Sequence, residues 1–153
     1  MTQDKKYHPP DVGHKASADQ LHHHADVVHQ RQVIEQQKQR AKAEHEAHHA
    51  YFEFMNREFT DEDIKQIEEL TGDAVHRGDY EVEILRFPAS YLVDKGRAIN
   101  NAAEDWLASL TGFTKSLYDA YHEIGEPMGY RLTARALDYP NGMLGNVGSF
   151  LKW

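Results

Sequence analysis

From Ser17 to Glu58 the chain runs 42 residues without a proline or a glycine. The stretch is rich in Ala, Gln, Glu, Lys and Arg, which lose little on entering a helix. It reads as one helical element, longer than most helices of globular domains. Ser17 followed by Gln20 fits a capping box and marks its start. The difficulty is what this helix rests on. Leu21, Ala25 and Val28 share a stripe, and Val33 and Ile34 come next. Then "EQQKQRAKAEHEAHH" offers nothing larger than alanine. A helix that is polar all round has no face to bury. It projects into water, is covered by a partner, or frays. Tyr51, Phe52, Phe54 and Met55 restore apolar bulk and are expected to dock on the C-terminal part of the chain.

This divides the chain into a leader, 1–16, marked by "YHPPDVGHK"; a His-rich helical arm, 17–58; and a compact domain, 59–153. The last part reads as α+β. "TDEDIKQIEELTGDAV" opens with Thr60 as N-cap and Asp63 at the third helical position, and Ile64, Ile67 and Leu70 form its stripe. "YEVEILRF", 80–87, alternates as a strand, with Tyr80, Val82 and Ile84 on one face and Glu81 and Glu83 on the other. Asn101 and Glu104 look like the cap of a helix continuing to Gly125, with Trp106, Leu110, Phe113, Leu117 and Tyr121 on its stripe. "GYRLTARALDY", 129–139, alternates again, so that Arg131, Thr133 and Arg135 can pair with Glu81 and Glu83 across strands. "GMLGNVG" reads as a hairpin turn, and "VGSFLKW" as a last strand. The expected architecture is a small βαββ sheet covered by helices and preceded by the long polar arm. The first two strands are expected to run parallel through a crossover, and the last two antiparallel.

Charge and composition narrow the function. The chain is 153 residues, one domain by length, with a net charge of −8. Residues 60–83 hold nine Asp/Glu against two Lys/Arg, a net of −7. Such a surface repels phosphates, so nucleic acid is not expected; a basic protein partner suits it. No apolar run is long enough to span a membrane, and "MTQDKKYHPP" has no apolar core of a secretory signal. There are no cysteines, so disulfides and thiolate chemistry are excluded and a cytoplasmic setting is the default.

Two stretches carry candidate chemistry. His45-Glu46-Ala47-His48-His49 fits the H-E-x-x-H pattern, in which His45 and His49 would hold zinc, Glu46 would act as base, and Glu68 or Glu69 would supply a third ligand. His22, Asp26 and His29 form a second possible metal face. Against this, residues 22–49 hold seven histidines. Shuffling such a segment yields the pattern about once in five trials. The longer pattern with a glycine and a third histidine is missing. The loop "DKGRAINN", 94–101, lies between a strand and a helix, where Lys95, Arg97, Asn100 and Asn101 could hold an anion or a partner group. No serine or histidine sits in a nucleophile motif. The favoured expectation is a non-enzymatic interaction module without a cofactor, an accessory subunit, inhibitor or immunity-type protein. It would bind a larger basic partner, or a copy of itself, through the acidic face and the arm. The alternative is a zinc-binding protein, and within it a small metallohydrolase.

Overall fold

A computed structural model describes residues 16–153; the leader expected at 1–16 lies almost wholly outside the described residues. The architecture is α+β. The chain divides into two units, one ending at His49 and the other Ala50–Trp153, and the division falls inside the first helix.

That helix, α1, spans Ala18–Asn56. Its start is the capping box read from sequence: Ser17 N–H donates to Gln20 Oε1 at 2.9 Å, and Gln20 N–H to Ser17 Oγ at 3.3 Å. None of its 39 residues is buried. Within residues 18–49 the helix is supported along its own surface by pairs one turn apart. His22 meets Asp26 at 3.6 Å, Gln39 meets Glu35 at 2.9 Å and Lys42 meets Glu46 at 3.9 Å. Such pairs contribute about 0.3 kcal/mol each.

The second unit begins with the last turns of α1. Phe54 sits among three rings, with centroids 5.5 Å from Phe87, 4.8 Å from Tyr91 and 6.4 Å from Phe113. Tyr51 meets Tyr91 edge-on at 5.3 Å. Phe52, also expected to dock, points away and is 61% exposed. Adjacent helix positions face about 100° apart, so one face of this segment can be covered and its neighbour left wet.

Helix α2, Asp61–His76, starts as expected. The Asp63 carboxylate accepts from Thr60 N–H at 2.9 Å and from its hydroxyl at 3.1 Å. Asp63 is also buried against the guanidinium of Arg57, which lies 4.1 Å over the Phe113 ring. Strand β1 is Glu81–Pro88. A short helix, α3, spans Arg97–Asn100, and α4 spans Gly112–Ala120. A π turn, Tyr121–Gly125, and a 3-10 turn, Glu126–Met128, lead to β2, Arg131–Ala136. Strand β3 is Asn146–Lys152.

The sheet order is β1-β3-β2, antiparallel at both pairings. β1 and β2 therefore run in the same direction, as expected, but the last strand inserts between them. The most buried strand is accordingly β3, with Val147 fully inside. Its neighbours Phe87, Ala89, Leu92 and Ile99 complete the core.

Two expectations fail for identifiable reasons. β1 does not keep strict alternation. A bulge at Ile84 shifts the register between Glu83 and Leu85, so that Val82, Leu85 and Phe87 share one face. The bulge also brings Glu83 and Arg86 together in a two-pronged ion pair at 2.8 and 3.0 Å. In a regular strand, residues three apart lie on opposite faces.

The helix expected from Asn101 to Gly125 is broken. Residues 101–111 form turns and a 3-10 segment, and α4 begins after Thr111, whose hydroxyl donates to Tyr91 O at 2.6 Å. Gly112 has φ +52°, and a Cβ there would lie 2.6 Å from Phe54 O and 2.7 Å from Met55 Cα. The close approach of the α1 end fixes this break, a long-range cause that local propensity does not carry. The stop also moves, from Gly125 to Gly129, which has φ +91°.

Urea unfolding separates the two faces of the α1 end. Phe54→Ala is expected to lower stability by about 3 kcal/mol, whereas Phe52→Ala changes it by less than about 0.5 kcal/mol. Equal losses at the two positions would contradict the one-sided docking. Gly112→Ala is expected to cost more than about 1 kcal/mol, because both the left-handed backbone and the missing space oppose a side chain.

Candidate functional site

The residues read from sequence as candidate sites lie on α1, on α2 and in the loop 94–101. His45, Glu46 and His49 are exposed on α1, and Glu46 lies 3.9 Å from Lys42. Glu68 is exposed on α2, in the other unit. Among the described residues no group of three or more His, Cys, Asp or Glu side chains is placed to hold a metal ion.

In the loop, Lys95, Arg97, Asn100 and Asn101 are exposed. The N–H groups an anion would use are already occupied. The Asp94 carboxylate accepts from Gly96 N–H at 3.0 Å and Ala98 N–H at 2.8 Å. Asn100 Oδ1 accepts from the Tyr139 hydroxyl at 2.6 Å. Asp94 thus holds the loop backbone, while the side chains of Lys95 and Arg97 stay exposed.

The acidic segment 60–83 is more balanced than its sequence suggests. Asp63 pairs with Arg57, Glu62 with Lys65 at 3.8 Å, Asp79 with Arg77 at 3.0 Å and Glu83 with Arg86 at 2.8 Å. Glu81 takes Arg135 at 2.8 Å and Lys152 at 3.5 Å. The pairing expected between Arg135 and Glu81 is thus present, reaching across β3. Arg135 also covers the Phe150 ring at 3.7 Å, so the outer face of the sheet is a closed ion lattice over one aromatic ring. Four carboxylates of α2 remain without an ion pair among the described residues: Asp61, Glu68, Glu69 and Asp73. Like charges stacked on one helix repel, and a cation from elsewhere would relieve them.

Beside Glu68 lies the feature that reading the sequence missed. A half-open cavity of about 240 Å³ separates α2 from the π turn and the inner face of the sheet. Ile64, Ile67 and Ile84 form part of its wall, with Ile124, Met128 and Leu132 opposite. Among the described residues Glu68 is the one charged group lining it. Ile124 and Met128 are exposed at its rim, Met128 by 69%. Tyr121 brings a hydroxyl, but that hydroxyl donates to Tyr130 O at 2.9 Å. The Thr71 hydroxyl is buried without a hydrogen-bond partner. The cavity offers no acid–base pair. It is smaller than the roughly 300–1,000 Å³ of drug-sized ligand sites and suits one or two aliphatic side chains. Ile64 and Ile67 were legible as a stripe; their exposed counterparts, Ile124 and Met128, lie in a segment read as helix end and turn.

Comparison with protein-family models, with curated proteins and with solved structures finds no match for this chain. Among the described residues no helix is long and apolar enough to cross a membrane.

The ion lattice carries a pH dependence. The hydrogen bond from Arg135 holds Glu81 below its ordinary value of 4.5, and that from Arg86 does the same for Glu83. Hydrogen bonds from the Asn146 side chain and backbone hold Asp138 below 3.8. A carboxylate depressed in the folded state contributes stability that is present above its unfolded value and lost as pH falls through the folded one. The urea midpoint should therefore hold down to about pH 5 and decline below it. In Arg135→Met, which keeps the cover over Phe150, the decline should be shallower. An unchanged acid limb would exclude the lattice as its source.

Proposed function

We propose that this chain is a non-enzymatic protein–protein interaction module that engages a basic partner surface. One observation carries the reading: none of the 39 residues of α1 is buried. A polar helix of this length, without a core of its own, is marginal in water even with good caps. Surface pairs one turn apart are too weak to explain why the sequence keeps it free of breakers for so long. A partner surface supplies the missing burial. The four unpaired carboxylates of α2 and the apolar cavity that one of them, Glu68, lines support a partner that brings cations and aliphatic side chains together. An accessory subunit, an inhibitor or an immunity-type protein each fits this description. A cytoplasmic setting suits a chain with no cysteine.

The reading is tested in the native host by placing a photocrosslinking residue at Ile34 on α1, at Glu69 on α2, and at Arg131 on β2 as a control. The expected result is one crosslinked protein species, in high yield from Ile34 and Glu69 and absent from Arg131. A uniform background from all three positions would contradict it.

A further inference from the structure

An interaction module needs a partner of definite chemistry, and the inference of that partner rests on the interaction reading. The cavity asks for aliphatic side chains accompanied by positive charge. The chain itself carries such a segment. Residues 27–42, "VVHQRQVIEQQKQRAK", hold Arg31, Lys38, Arg40 and Lys42 against Glu35 alone, a net of +3 in a chain of net −8. The same segment presents Val28, Val33 and Ile34 to solvent, Ile34 by 52%. On a continuous helix Val27, Arg31, Ile34 and Lys38 fall along one stripe, at steps of four, three and four. Apolar anchors alternating with cations on one stripe are the form in which an amphipathic helix enters a groove.

We infer that the cavity between α2 and the π turn receives residues 27–42 of α1 from a second copy of this chain. Ile34 fills the aliphatic space between Ile67 and Ile124, and Val27, two turns earlier and about 10 Å along the stripe, packs at the rim. Arg31 and Lys38, one turn to either side of Ile34, meet the α2 carboxylate that lines the cavity, Glu68. The exchange is reciprocal: each copy gives one helix and receives one, which closes the assembly at two. Net charge opposes self-association of a −8 chain, so the attraction has to be local. The +3 segment and the unpaired carboxylates provide that local complement.

The test is sedimentation equilibrium of the full chain over a wide concentration range, with three variants. Wild type is expected to be a dimer. Ile34→Glu replaces an exposed residue with a good helix former, so it leaves the fold intact; it should weaken association roughly tenfold or more. Glu68→Lys should weaken it similarly, and adding Arg31→Glu/Lys38→Glu to that variant should restore it. Circular dichroism confirms that each variant is folded. A wild type that stays monomeric overturns the inference while leaving the interaction reading to its crosslinking test, where a foreign protein would be captured. A dimer that Ile34→Glu disrupts but the α2 reversal does not would mean that arms pair with arms, and would overturn it too. So would an α2 reversal that the arm reversal fails to restore.

Discussion

The last turns of helix α1 pack side chains into a core, and the second unit is arranged around that contact. Phe54 enters a ring of Phe87, Tyr91 and Phe113, which come from β1, the segment after it and α4. Gly112 lets the start of α4 pass within van der Waals reach of the α1 backbone. Arg57, just past the helix end, binds the buried Asp63 and so fixes the first turn of α2. Two elements, α2 and α4, thus take their starting points from the end of α1. Aromatic packing of this kind adds about 1 kcal/mol per pair beyond the area it buries, enough to outweigh the local preference of residues 101–111 for continuing as helix.

The same anchor sharpens the contrast with residues 18–49. There the helix has a cap and pairs one turn apart, together on the order of 1 kcal/mol, and no burial. Charge is distributed with the same asymmetry. On the sheet, Glu81 is paired with Arg135 and Lys152, Glu83 is paired with Arg86, and Arg135 covers Phe150. On α2, Asp61, Glu68, Glu69 and Asp73 carry no ion pair among the described residues, and Glu68 lines an apolar cavity. A surface satisfied on one side and unsatisfied on the other indicates where a second molecule would relieve the larger cost.

Local chemistry was legible and long-range geometry was not. The capping boxes at Ser17–Gln20 and Thr60–Asp63 and the length of α1 arise from residues close in sequence, and the apolar bulk at Phe54 marked a docking segment without naming the rings that receive it. The bulge at Ile84 left a trace, since Ile84 and Leu85 are consecutive apolar residues and Glu83 and Arg86 are opposite charges three apart. Both are signs of a phase slip in a strand. The break before Gly112 left none, because its cause is the backbone of residues 54 and 55. The place of β3 in the middle of the sheet was equally hidden, although "VGSFL" is buried through and through, as a central strand should be. The H-E-x-x-H stretch is helical, as its spacing suits, and leaves His45, Glu46 and His49 exposed on α1.

Whether residues 18–49 take their stability from the surface of another molecule rather than from their own chain is decided most directly by amide hydrogen exchange. The full chain is followed peptide by peptide at low and at high protein concentration. Protection across 22–48 is predicted to be slight in dilute solution and to rise with concentration, while β3 exchanges equally slowly in both. Strong protection of 22–48 at every concentration, in a protein that remains monomeric, would contradict a helix stabilised by its partner.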